Sequence, residues 1–214
     1  MCMDIAKFLE QIRFLNSKAD CLHVDVMDGH YVPALALSPA FIAHVKRLAT
    51  IPIDAHLMLE TPSRFVEQMV AAGATTLVFH PETIITEVFR LMHQMEEKGA
   101  RFGIALNPET DVDTTRYYLE RINKVTVMTV DPGFAGQKFI ASMLKKIEAL
   151  KNLKEKHGYS FQIEADGSCN AGTFGELARA GAEVFVVGYS GLFNLHPDIA
   201  RAWEIMEANF MQAL

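Results

Sequence analysis

Short apolar runs rich in β-branched residues return at steady intervals along the chain, and between them the hydrophobic positions change to helical spacing. Seven runs read as strands: Cys21–Val26, Ile51–Met58, Thr75–His80, Ala100–Leu106, Lys124–Val130, Ser160–Asp166 and Glu183–Gly188. Helical spacing is clear over Arg64–Ala72, where Phe65, Met69 and Val70 share a face, and over Ile140–Lys156, where Met143, Ile147, Leu150 and Leu153 form a stripe. Helices also fit Asp4–Leu15, Thr86–Lys98, Asp113–Glu120, Ala171–Ala180 and His196–Met211. The punctuation agrees: Pro62-Ser63 opens one helix, and Gly73, Gly99 and Gly181 stand where helices end in a left-handed residue.

This alternation is that of βα units and a parallel sheet. Strand starts are separated by roughly 23 to 36 residues, about one βα unit each, and no shift of composition marks a linker. The pattern predicts one α/β domain over 1–214. Asp4–Leu15 already reads as a helix, so the seven strands point to a (β/α)8 TIM barrel lacking its first strand. A doubly wound open sheet is the alternative architecture.

In a barrel strand, alternate residues face the lumen and the functional groups gather at the C-terminal mouth. His23, Asp25 and Met27 then share one face, as do Asp54, His56 and Met58, and Glu164 and Asp166. A lone inward histidine is most often a hydrogen-bonded core residue, and a strand-terminal aspartate often caps the next helix. Two histidines and two aspartates in one lumen are harder to dismiss, because unpaired buried charge costs several kcal/mol per group. A bound divalent cation resolves the conflict. His23, Asp25, His56 and Asp166 offer two nitrogens and two oxygens, suited to Zn²⁺ and acceptable to Mn²⁺, Fe²⁺ or Co²⁺, and the sequence does not choose among them. Asp54 and Glu164 lie one layer deeper, where they would orient a ligand histidine.

Lysine and arginine total 20 against 26 acidic residues, a net charge of −6, which argues against nucleic acid or an anionic membrane as a partner. An anionic small molecule would have to be held by local features. Three glycine-bearing loops supply them: Gly133, Phe134, Ala135 and Gly136; Gly167 and Ser168; and Gly188, Tyr189 and Ser190. Glycines that let backbone amides converge after the last strands of a barrel make a phosphate site without net positive charge, although each loop alone is equally a tight turn. Met27, Met58 and Met128 fall on lumen-facing phases, where they would cover a substrate or simply pack the core.

Half of the residues are hydrophobic, enough for a substantial core. The three cysteines, Cys2, Cys21 and Cys169, make neither a disulfide framework nor a cysteine zinc site. Cys169 has no nearby histidine in sequence and reads as structural. With no apolar run of membrane length and no signal-peptide pattern, the expected location is the cytoplasm.

On these residues the chain resembles the ribulose-phosphate 3-epimerase family along essentially its whole length. The motifs are His23-Val-Asp-Val-Met-Asp-Gly, Asp54-Ala-His-Leu-Met, Ala105-Leu-Asn-Pro, Val127-Met-Thr-Val-Asp-Pro-Gly-Phe-Ala-Gly-Gln and Glu164-Ala-Asp-Gly. Within the family it is most similar to the D-allulose-6-phosphate 3-epimerases, through Met1-Cys-Met-Asp, His80-Pro-Glu-Thr, Asp166-Gly-Ser-Cys-Asn and Ser190-Gly-Leu-Phe-Asn. The resemblance implies a barrel and a metal, Zn²⁺ first, on His23, Asp25, His56 and Asp166. It also implies proton transfer by Asp25 and Asp166, and phosphate binding at the three glycine loops. The expected reaction is inversion at C3 of a phosphorylated ketose, D-allulose 6-phosphate to D-fructose 6-phosphate, with D-ribulose 5-phosphate as the alternative substrate. His80 and Asn107 are further candidates for lining the substrate, and the family implies a homo-oligomer, dimer or hexamer.

One departure is large. Family members begin with a strand of the type Ile-Ser-Pro-Ser-Leu, whose second serine contacts substrate, and that strand is absent here. A gap there would expose two strand edges. The expectation is a truncated start with lowered stability and activity, and a truncated, inactive phosphate-binding scaffold is the alternative of another class. Phosphate-barrel decarboxylases use an Asp-x-Lys-x-x-Asp cluster, and Asp54-Ala-His contributes no lysine, so decarboxylation is set aside.

Overall fold

The computed structural model describes residues 2–36 and 38–214, and Met1 of the Met1-Cys-Met-Asp motif lies outside them. The chain forms two units, residues 3–105 and residues 106–214 together with Cys2. Strands, mostly parallel, alternate with helices in both, and by class the fold is α/β and TIM-barrel-like.

In the first unit, Asp4 accepts from the Ala6 N–H to start a 3-10 turn, which runs into α1 (Phe8–Leu15), buried through Ile12 and Leu15. β1 (Leu22–Asp28) is followed by the two-residue β2 (Leu35–Ala36) and by α2 (Pro39–Leu48). Ser38 caps α2 by accepting from the Phe41 N–H, Pro39 occupies its first turn, and Ile42 and Val45 face the core. Next come β3 (Ile53–Met58), a 3-10 turn at Pro62–Phe65, α3 (Val66–Ala72), β4 (Thr76–Phe79), α4 (Pro81–Ile84), α5 (Val88–Glu97) and β5 (Arg101–Leu106). The strand order is β2-β1-β3-β4-β5, with β2 antiparallel to β1 and the other pairs parallel. Every side chain of β3 is buried, as expected of a parallel strand covered on both faces.

The second unit holds β6 (Lys124–Met128), α6 (Met143–His157), β7 (Gln162–Asp166), α7 (Phe174–Ala180), β8 (Val184–Val186) and α8 (Ile199–Ala213). Its strands are parallel in the order β6-β7-β8. The α6 stripe is buried through Ile147 and Leu150. Phe174, Phe185 and Phe210 meet edge to face, with centroids 5.2 to 6.1 Å apart, which fastens α7 and α8 to β8.

All seven expected strands are present; six are shorter than the apolar runs suggested, and β1 instead runs on past Val26 to Asp28. Three differences have local causes. The expected helix Asp113–Glu120 is two 3-10 turns, Val112–Thr115 and Leu119–Arg121. There Asp111 captures the Asp113 N–H, and the Thr114 and Thr115 hydroxyls bond back to the carbonyls of Asp111 and Val112, in competition with an α-helical ladder. Helix α2 was not expected, although Ser38-Pro39 is a start signal, and β2 is too short to show alternation. Among the described residues no strand precedes α1.

Candidate active site

Register assembles the first part of the site. β1 and β3 are parallel with His23 beside Asp54, Asp25 beside His56 and Met27 beside Met58, so like-facing side chains stand in neighbouring pairs. His23 Nδ1 lies 3.3 Å from Asp54 Oδ2, a buried carboxylate. On the other side of the ring, His23 Nε2 lies 3.5 Å from Asp25 Oδ1 and 3.4 Å from His56 Nδ1. His56 Nδ1 is in turn 3.6 Å from Asp25 Oδ1. His56 Nε2 faces His80 Nε2 at 2.9 Å.

These contacts constrain the protons. When His23 donates from Nδ1 to Asp54 and His56 donates from Nε2 to His80, both remaining nitrogens are bare. Three lone-pair atoms then converge at 3.4 to 3.6 Å. That is repulsive unless a proton or a cation lies among them. Ligands at about 2.0–2.2 Å from a tetrahedral ion stand about 3.3–3.6 Å from one another, so the triangle has the size of one face of such a shell. The donor set of two imidazoles and a carboxylate, with a carboxylate orienting one imidazole from behind, fits a divalent metal. Where protons rather than a cation lie among these atoms, burial raises the Asp25 pKa, but the hydrogen bonds and charges of protonated His23 and His56 outweigh it and hold the carboxyl well below the ordinary carboxylate range.

The end of β1 is fixed by Asp28. Its Oδ1 accepts from the His30 and Tyr31 N–H groups, both at 2.9 Å, and its Oδ2 accepts from the Glu60 N–H at 2.7 Å. Burial pushes the Asp28 pKa up, but the three bonds together, with the charge of His30, outweigh it and lower the pKa. The turn they hold, with Gly29 at φ 74°, brings Val32 onto Met27 and Met58, against which Tyr31, Ala34 and Ala36 pack. Two of the expected substrate-lining methionines thus form one apolar cluster beside the histidines. His80 is fully buried, with the Tyr31 ring 4.8 Å away on centroids.

In the second unit, Asp166 ends β7 in register with Met128 of β6, which is buried. The glycine loops of this unit are drawn together by polar contacts. Ser168 Oγ donates to the Gln137 carbonyl at 2.5 Å, joining the loop after β7 to the loop after β6 that contains Gly133, Phe134, Ala135 and Gly136. Asn170 Nδ2 donates to the Ser168 carbonyl at 3.0 Å and to Ser190 Oγ at 3.1 Å, joining it to the Gly188, Tyr189 and Ser190 loop. Gly167 at φ 118° and Ser168 at φ 50° lie consecutively in the left-handed half of backbone space. Ser168 is the one described non-glycine residue with positive φ, and such strain gathers at ligand-binding turns. Phe134 and Tyr189 are exposed beside these loops. Asn107 lies in a turn whose carbonyls at Asn107, Pro108 and Thr110 all accept from Lys146 Nζ on α6.

Glu164, expected to orient a ligand histidine, accepts from Lys124 Nζ at Oε2, 2.7 Å, and from the Thr126 hydroxyl at Oε1, 2.8 Å. Lys124 and Lys146 carry no sequence signal, because each sits in an ordinary strand or helix pattern. Asn170 stood in the Asp166-Gly-Ser-Cys-Asn motif without an assigned role. Cys169 is buried, and burial together with the charges of Asp166 and Glu164 pushes its thiol up, as suits an unreactive core cysteine.

The sequence model described as the Ribulose-phosphate 3 epimerase family matches residues 1–193. Curated relatives include a ribulose-phosphate 3-epimerase of Aquifex aeolicus (strain VF5), 38% identical over 185 residues, covering 86% of this chain and 82% of the relative. Those of Bacillus subtilis (strain 168), 39% identical over 79% of this chain and 78% of the relative, and of Escherichia coli (strain K12), 35% identical over 91% and 85%, are similar in extent. Among solved structures, a phosphoribosyl anthranilate isomerase from Thermococcus kodakaraensis superposes with a TM-score of 0.62 at 17% identity, covering 95% of this chain and 92% of that one. A thiamine phosphate pyrophosphorylase from Pyrococcus furiosus gives 0.63 at 12% identity, covering 96% and 90%. At such identities these two structures speak to fold alone.

Proposed function

The chain belongs to the ribulose-phosphate 3-epimerase family, and on that premise we propose that it interconverts D-allulose 6-phosphate and D-fructose 6-phosphate by inversion at C3. The class of the enzyme, an isomerase of the epimerase type, follows from the family. The observation that carries the chemistry is the convergence of His23 Nε2, His56 Nδ1 and Asp25 Oδ1.

Inversion beside a ketone needs a base on one face of the carbon and an acid on the other, with an enediolate between the two proton transfers. Asp25, held ionised between its histidines, is assigned as one of the two groups. Asp166, at the end of β7, is assigned as the other on the strength of the Glu164-Ala-Asp-Gly motif. His23 and His56 hold Asp25 in place and, with both aspartates, are the assigned ligands of one divalent metal, Zn²⁺ first and Mn²⁺, Fe²⁺ or Co²⁺ as alternatives. When bound, the ion supplies Lewis-acid stabilisation of the charge that develops on the substrate oxygens. Met27, Met58 and Met128 are assigned to covering the sugar and excluding water, with His80 and Asn107 beside them.

The glycine loops are assigned to the phosphate through Gly133, Phe134, Ala135, Gly136, Gly167, Ser168, Gly188, Tyr189 and Ser190, which lends binding energy to orientation at C3. Support for the hexose substrate comes from Asp166-Gly-Ser-Cys-Asn and Ser190-Gly-Leu-Phe-Asn, whose Asn170 and Ser190 are hydrogen-bonded to each other. The names of the curated relatives favour a second reading, the pentose D-ribulose 5-phosphate. Cytoplasmic location and a dimeric or hexameric state belong to the same proposal. Among the described residues no helix is long and apolar enough to cross a membrane.

Turnover of the two ketose phosphates, measured side by side with metal added, tests the substrate. A higher kcat/KM for the hexose ester is expected. A preference for the pentose ester replaces the first reading with the second, and loss of the C3 hydrogen to solvent from neither ester removes both.

A further inference from the structure

The two histidines of the first unit are oriented by different chemistry. His23 meets a carboxylate, Asp54 Oδ2, whereas His56 meets another imidazole, His80. The His56 and His80 planes are 26° apart with centroids at 5.0 Å, little different from the 2.9 Å bond plus two ring radii, so the rings meet edge to edge along a hydrogen bond. Both residues have no solvent exposure, which keeps bulk water from competing for either nitrogen.

Two nitrogens at this distance share one proton, and its location decides what His56 presents to Asp25. With the proton on His80 Nε2, His56 is driven to carry its own on Nδ1, aimed at Asp25 Oδ1 and His23 Nε2. With the proton on His56 Nε2, Nδ1 is a bare lone pair. We propose that His80 is a positioning residue that accepts from His56 Nε2 and so fixes the His56 tautomer whose Nδ1 can bind a metal.

His80 is well held for this task. Its carbonyl accepts from the Thr83 N–H at 3.1 Å and the Thr83 hydroxyl at 2.9 Å in the first turn of α4, and Tyr31 packs on its ring. A ligand histidine whose outer N–H is taken up by a fixed acceptor binds its metal more tightly, and removal of such partners typically lowers affinity about 10–100-fold. The inference gives His80 a place behind the ligands, in addition to its candidacy beside the sugar. It rests on the metal reading of the site.

Two variants separate the hydrogen bond from the packing. His80→Phe keeps an aromatic ring against Tyr31 and removes the acceptor, and His80→Gln keeps an acceptor near the position of Nε2. Dissociation constants for Zn²⁺, read by competition with a chelator, and the visible absorption of the Co²⁺-loaded proteins report on the ligands without any assay of turnover. The expected result is an affinity about 10–100-fold weaker and an altered Co²⁺ spectrum for His80→Phe, with His80→Gln within about threefold of wild type. Wild-type affinity and spectrum in His80→Phe, or equal weakening in both variants, overturns the role of His80 while leaving the metal reading standing. A wild-type protein that binds neither ion overturns the metal reading itself, and this inference with it.

Discussion

Asp25 and His56 are register partners on adjacent parallel strands, with Oδ1 and Nδ1 3.6 Å apart. Proximity of this kind is a product of the sheet: once β1 and β3 pair without a slip, every second residue of one strand stands beside its counterpart on the other. A slip of one residue would turn Asp25 and His23 to the opposite face. The all-apolar companions Val24, Val26, Ala55 and Leu57, each 6% exposed or less, hold the register by burial.

Asp25→Asn is therefore expected to remove the base without disturbing the strand, since the amide fills the same space. Turnover should fall by at least about 10²-fold, the lower end of what a positioned acid or base contributes. Asp166→Asn should do the same if that residue serves the opposite face. Far-UV circular dichroism should be unchanged in both. Wild-type-like rates in either variant would sink the two-base assignment.

Asp28 makes a prediction about pH. Its lowered pKa means that the ionised form is favoured by folding. The stabilisation is therefore present above the unfolded value, about 3.9, and is lost as pH falls below it toward the folded value. Asp28→Ala removes the acceptor of three backbone N–H groups and should destabilise by about 1–3 kcal/mol near pH 6, with the partly exposed position favouring the lower part of that range. Denaturant titrations at pH 6 and pH 3 should show the gap between wild type and variant narrowing at the lower pH. An equal gap at both would show that the charge of Asp28 contributes nothing.

The convergence of His23, Asp25 and His56 was more legible than some of the local folding, for a physical reason. These residues announce themselves because ionisable groups at strand ends violate the apolar pattern around them. Strand period converts that violation into a shared face. Asp111 and the two threonines Thr114 and Thr115 violate nothing, and their preference for local hydrogen bonds over a helix emerges only when the chain is folded. His80 was visible as a residue, but its contact with His56 joins strands whose register no periodicity states. The Lys124–Glu164 pair was hidden in the same way: Glu164 reads as lumen-facing, but Lys124 opens its strand and nothing in the sequence joins the two.

That pair offers a test of the second unit's core. Lys124 and Glu164 are 6% and 1% exposed and form an ion pair at 2.7 Å. Lys124→Met should destabilise by about 3–5 kcal/mol, because it leaves a buried carboxylate beside Thr126 without its cation. The double variant Lys124→Met, Glu164→Gln should recover much of the loss. If the single and double variants melt together, the pair is not the source of the penalty.

Asn170 tests the anion loops independently of the proton-transfer groups. Its amide holds the Ser168 carbonyl and the Ser190 hydroxyl, and so sets the spacing of two of the three glycine loops. Asn170→Ala removes both bonds at about 0.5–1.5 kcal/mol each. If the loops grip phosphate in ground state and transition state alike, the loss should appear as a rise in KM of roughly five- to a hundredfold, with kcat nearly unchanged. Inhibition by inorganic phosphate should weaken in parallel, since that anion uses the loops and nothing of the sugar. A variant that loses kcat at constant KM, with phosphate inhibition intact, would place the role of Asn170 in the chemistry and take the anion away from these loops.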